Sequence, residues 1–297
     1  MIALVQLCTA LVMPTPPRTL VYGPGSLEVR LLTAKLAAKQ GGDAAVFAGE
    51  ERTFQKDWRR LMYGKDYADA GMDAPGCARV LGTTEELGEC LSKASCLVLV
   101  CDDKPLPEGI AKTLFNNCGD DLKRIVMLSK IGVSRAKPPG PFGIGGEDAA
   151  IQASEKEVRQ MSESRGVDMS IVRVGTLKGG GPGNETAGAD QEVGLNIAYY
   201  NTLFQLDEYM CTSAYDKYTL GVKISKGDPI DMANPLLKAA RKSDFDPHDD
   251  DSSRVIAASA VVHALRHPSA VELTVSAEKG EEGPPSPEEW EAAFNAL

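Results

Sequence analysis

No stretch of this 297-residue chain reaches the ~18 consecutive apolar residues that a membrane-spanning helix needs. No Cys-x-x-Cys occurs, and the seven cysteines are odd in number: Cys8, Cys77, Cys90, Cys96, Cys101, Cys118 and Cys211. That pattern speaks against a zinc ribbon and against a disulfide framework, and predicts small buried thiols in a reducing compartment. Only three histidines are present, His248, His263 and His267, with no cysteine pair to complete a zinc set, so no metal site is expected. A Gly-x-Ser-x-Gly elbow is lacking, which removes the serine-hydrolase reading. Positive charge is also short. Lys plus Arg number 32 against 42 Asp plus Glu, a net charge of −10, which disfavours a nucleic-acid binder that works by counterion release.

What is present is an alternation of apolar runs and amphipathic stretches. Thr19–Tyr22, Ala44–Ala48, Arg79–Leu81, Ser95–Cys101, Leu122–Leu128, Met169–Val174 and Val271–Val275 have the length and composition of strands. Ser95–Cys101 is apolar without alternation, as in strands covered on both faces. Between them lie helical patterns over Leu27–Gln40, Thr84–Ala94, Ile110–Cys118, Glu147–Ser164 and Val255–Leu265. Ser286 followed by Pro287, Glu288 and Glu289 predicts a capped helix running to Leu297. This order predicts a Rossmann-like α/β fold, a doubly wound parallel sheet, over residues 18–297. Residues 178–251, which open on a glycine-rich loop and include a helical stretch over Glu192–Tyr209, would form a small C-terminal lobe on the substrate side. The uncharged residues 1–17, closed by Pro14-Thr15-Pro16-Pro17, are expected to be a leader or a disordered arm.

The first strand–turn–helix is the candidate site. A glycine turn there brings the backbone close to a pyrophosphate at a helix N-terminus, where N–H groups are free and the dipole is positive. The turn is Gly23-Pro24-Gly25-Ser26-Leu27-Glu28-Val29, in which neither glycine register of a dinucleotide motif is complete. Gly23, Gly25, Ser26 and Leu27 are the candidate contacts. Glu28 would repel phosphate unless it points outward. Glu50 or Glu51, after the second strand, could accept from a ribose 2′-OH, whereas Arg52 could pair with a 2′-phosphate. Asp102 and Asp103 follow the fourth strand and would further disfavour phosphate. The Lys178–Gly183 loop lacks the ending of a P-loop, and the acidic cluster from Asp244 to Asp251 is expected to be a solvated loop.

Several segments together carry a resemblance: GPGSLEVRLL (23–32), MLSKIGV (127–133), VDMSIVRVGTLKGGGPG (167–183), VIAASAVVHALRHPSAVELTV (255–275) and PSPEEWEAAF (285–294). The chain resembles the atypical short-chain dehydrogenase/reductases, in particular the NmrA-like NAD(P)-binding proteins common in plastids. The resemblance implies an NAD(P) cofactor, with Asp102 and Ser129 lining its crevice, and a small carbonyl or quinone-like substrate. It implies a plastid location, and without it the chain would be taken as cytoplasmic. It assigns Ser129 to the substrate-orienting serine and Lys156 to the lysine of a Tyr-x-x-x-Lys pair. No Tyr-x-x-x-Lys occurs in the chain, and Gln152 stands four residues before Lys156. An amide cannot serve as a general acid. Two readings follow: an NAD(P)-dependent reductase, or a non-catalytic Rossmann scaffold that docks a protein partner. A third, an S-adenosylmethionine methyltransferase, shares the first turn and the acid after the second strand, but not the Ser129 turn or the 255–275 ending.

Overall fold

The computed structural model describes residues 18–49, 58–64, 76–138, 146–178, 194–196, 221–230, 250–278 and 285–297. The strands are β1 (Thr19–Tyr22), β2 (Ala44–Phe47), β3 (Arg79–Leu81), β4 (Cys96–Val100), β5 (Arg124–Lys130), β6 (Asp168–Val174), β7 (Thr176–Lys178), β8 (Gly221–Lys226), β9 (Asp251–Ser253) and β10 (Glu272–Glu278). The labelled helices are α1 (Leu27–Lys39), α2 (Thr84–Lys93), α3 (Ile110–Asn117), α4 (Gly146–Arg165), α5 (Arg254–Arg266) and α6 (Pro287–Asn295). A further helical segment occupies 58–64.

Eight strands form one sheet in the order β3-β2-β1-β4-β5-β6-β10-β8. All neighbours run parallel except β8, which pairs antiparallel with β10. The order 3-2-1-4-5-6 is that of a doubly wound Rossmann sheet, with its reversal between β1 and β4. Both faces are covered. In β4, Cys96, Val98 and Val100 point into the core shared with α1, α5 and α6, while Leu97 and Leu99 enter the core under α2, α3 and α4. A two-residue period with both sides buried explains why this strand is a continuous apolar run.

Helix α1 departs from the one-faced pattern. All residues from Leu31 to Ala38 are buried, Lys35 among them, because α1 lies between the sheet, α5 and the 58–64 segment. The Lys35 ammonium donates to the Gly194 carbonyl at 2.6 Å. Helices α2 and α6 begin with full capping boxes at Thr83/Glu86 and Ser286/Glu289. The three short strands β7, β8 and β9 lie in a region whose pattern predicts loop and helix. Leu195, inside the expected Glu192–Tyr209 helix, makes a lone strand-type bridge, and the rest of that stretch lies outside the described residues. The acidic cluster is not wholly solvated either. Asp250 and Asp251 are buried, and β9 pairs with β7 in a second, two-stranded sheet. Residues 244–249 and the expected arm at 1–17 lie outside the described residues.

A buried ion network joins the end of the sheet to the chain after β8. Arg173 of β6 makes a two-pronged contact with Glu155 of α4, at 3.1 and 2.7 Å, and reaches Glu272 of β10 at 3.2 Å. Asp228 lies 3.9 Å from Arg173 and accepts the Gly132 and Ser134 amides at 2.8 and 3.0 Å. Burial works against the Arg173 guanidinium, yet its bond to Glu155 and the charges of Glu155, Glu272 and Asp228 hold its pKa above the usual arginine value. Removing one partner from such a buried pair strands the other. Arg173→Ala should therefore lower stability by about 3 kcal/mol or more in urea unfolding. A loss under about 1 kcal/mol, typical of an exposed pair, would contradict this account.

Candidate nucleotide crevice

Strand β1 ends at Tyr22, and the chain turns through Gly23-Pro24-Gly25 into α1, at the carboxyl edge of the sheet beside the β1/β4 reversal. The turn packs directly on the end of β4. The Gly25 amide donates to the Val100 carbonyl at 3.0 Å. A Cβ on Gly23, whose φ is +147°, would lie 2.1 Å from that carbonyl oxygen, and one on Gly25 only 2.2 Å from an Asp102 carboxylate oxygen. Both glycines are thus required by the protein's own backbone and side-chain packing, independent of any ligand.

The Ser26 amide, at the head of α1, is already engaged by an anion. It donates to Asp102 Oδ1 at 3.0 Å. Asp102 is 6% exposed. Burial pushes its carboxyl up to about 6, the neighbouring Asp103 adds to the rise, and the Ser26 amide and Arg254 oppose it. The Ser26 hydroxyl accepts from the Val29 amide at 3.4 Å, as a helix cap. Leu27 packs against the core and opens α1. Glu28 pairs with Arg254 of α5 at 2.9 Å. The expected repulsion from Glu28 is therefore neutralised, and the anion facing the turn is Asp102.

Two side chains that sequence reasoning did not single out stand beside this contact. Tyr22 stacks on Phe47 of β2 with ring centroids 5.7 Å apart. Arg30 donates to the Phe47 carbonyl at 2.8 Å, while its Nε is buried without a partner. Burial lowers the Arg30 pKa, against the opposing charges of Asp102, Tyr22 and Asp103. Arg30 lies one helical turn after Ser26, and that spacing was the available signal. Glu50 and Arg52 lie outside the described residues.

Ser129 is fully buried near the carboxyl end of β5, and its hydroxyl has no hydrogen-bond partner. Lys156 is exposed on α4 and donates to Gln152 Oε1 at 3.1 Å. The Gln152 amide in turn donates to the Val133 and Ser134 carbonyls, both at 2.9 Å. The structure thus joins Lys156 to Gln152 and leaves Ser129 outside that chain of bonds. Among the described residues there is no group of three or more His, Cys, Asp or Glu able to hold a metal, and no helix long and apolar enough to cross a membrane.

No protein-family model and no curated protein matches the chain. Solved structures do. An ethylated short-chain dehydrogenase/reductase from Veillonella parvula aligns over 91% of this chain and 99% of its own, at 10% identity and a TM-score of 0.49. A wide-type short-chain dehydrogenase/reductase from the same organism, in complex with NADP, aligns over 91% and 99%, at 12% identity and a TM-score of 0.47. Vestitone reductase from alfalfa aligns over 88% and 78%, at 10% identity and a TM-score of 0.46. The doubly wound fold rests on the strand order and parallel pairings themselves.

Two expectations follow. Gly25→Ala should cost about 2 kcal/mol in ligand-free protein, since the added methyl must displace Asp102 or the β4 carbonyl. An unchanged midpoint in urea unfolding would show that the turn does not pack this tightly. The second concerns Asp102, whose folded pKa near 6 exceeds its ordinary value of 3.8. The folded state therefore binds this proton more tightly than the unfolded chain, and stability is lost as pH rises from about 4 through 6. Asp102→Asn, which keeps an acceptor for Ser26, should raise stability at about pH 8 by 1–3 kcal/mol, and the gain should shrink at about pH 5. Thermal unfolding at both pH values checks this, and a gain that does not depend on pH would contradict it.

Proposed function

We propose that the chain is an NAD(P)-binding protein of the atypical short-chain dehydrogenase/reductase type that has given up the tyrosine-dependent hydride chemistry. The observation that carries this reading is Gln152. It takes the place from which the resembled family's tyrosine would protonate a carbonyl oxygen, and its amide is committed to the Val133 and Ser134 carbonyls. Its oxygen is committed to Lys156. Lowering the barrier to carbonyl reduction calls for a positioned proton donor, and an amide is none. The sequence resemblance supports the dinucleotide, and the position of the first turn at the β1/β4 reversal agrees with it.

A reductase is the second reading, and one observation favours it. The Ser129 hydroxyl is buried and unpartnered, as a group that orients a substrate carbonyl would be. The NmrA-like grouping, the plastid setting and a docked protein partner rest on the sequence resemblance.

The test is to mix the protein with NADPH or NADH and a panel of small aldehydes, ketones and quinones, following absorbance of the reduced nicotinamide. Binding in calorimetry without oxidation above the buffer rate is the expected result. Turnover that Ser129→Ala abolishes would establish the reductase reading instead.

A further inference from the structure

An ionised Asp102 and a pyrophosphate cannot share the Ser26 amide. We infer that Asp102 is a built-in competitor for the anionic ligand of this crevice: a dinucleotide enters only when the carboxylate gives up the Ser26 amide or takes a proton. This rests on the proposed dinucleotide reading and adds to it the group that controls access.

Three features of the geometry carry it. The Asp102 oxygen sits 3.0 Å from the first amide of the helix head, the distance a phosphate oxygen would take. The turn has no slack to shift away, because the Gly25 amide is bonded to the Val100 carbonyl at 3.0 Å and the space above Gly25 is filled by Asp102 itself. Close by on α1 lies the Arg30 guanidinium, whose buried Nε–H has no partner and would donate to an anion's oxygen once Asp102 withdraws.

The groups around the carboxylate come from four elements. Arg30 and Glu28 project from α1, Arg254 from α5, and Tyr22 from β1; Cys101 and Asp103 flank Asp102 in the loop after β4. The arginines stay cationic near neutrality. Burial pushes both the Tyr22 phenol and the Cys101 thiol upward, so both stay neutral there. Asp102, pushed up to about 6, is the group poised to change charge between mildly acidic and mildly alkaline solution.

The experiment is calorimetric titration of the full-length protein with NAD⁺ at about pH 5.5 and pH 8, for wild type, Asp102→Asn and Asp103→Asn. NAD⁺ is the probe because it lacks the 2′-phosphate, which itself titrates near pH 6. Wild type should bind at least about tenfold more tightly at the lower pH. Asp102→Asn should bind at pH 8 at least about tenfold more tightly than wild type, with little pH dependence left. Asp103→Asn should keep the direction of the wild-type pH dependence, weakened because the Asp103 charge adds to the rise at Asp102. If wild type and Asp102→Asn bind equally at both pH values, the competitor role is overturned and dinucleotide binding stands. If neither binds at either pH, the dinucleotide reading falls and the competitor role with it.

Discussion

Strand β4 is the member on which the rest of the sheet is hung. Its residues feed alternately into the two cores, so α1, α5 and α6 on one side and α2, α3 and α4 on the other take their positions from the same five residues. Its last carbonyl, at Val100, then receives the Gly25 amide and sets how far the first turn stands from the sheet. A bulkier residue in that turn would push α1 off both β4 and α5. The stability of the fold and the shape of the crevice are therefore set by one close approach.

The same closeness explains what could and could not be read from the residues alone. The β4 run, the Ser286 cap and the Val255–Leu265 helix are local patterns, and the structure reproduces them within a residue or two. The glycine turn was also visible, but its purpose was not. Nothing local shows that Asp102, 76 residues away from Ser26, would hold the amide at the head of α1. Glu28 looked hostile to an anion because Arg254, 226 residues downstream, could not be placed beside it. Strands β7 and β9 are three residues each and pair across more than 70 positions, too short to leave a period in the sequence. Asp250 and Asp251 looked solvated for the same reason: the pairing that buries them is not local.

Around the turn after β5, charge takes over the role that apolar packing has elsewhere. Asp228 holds two amides of the turn after β5 and faces Arg173, which is already gripped by Glu155. The turn at 132–135 is also held from α4 by Gln152. Gln152 is thus a clasp between a helix and a loop. The clasp gives this turn local rigidity.

The antiparallel strand β8 closes one side of the sheet, and the three-residue β3 the other. Any open sheet offers unpaired backbone groups at its rims, to which a foreign strand can add. Here β8 carries Lys223 and Lys226 exposed, and β3 begins with an exposed Arg79 and stops after three residues. An incoming strand would have to lie along ammonium groups at one rim and find almost no length to pair with at the other. Among the described residues, both rims of the sheet thus carry features that work against edge-to-edge pairing.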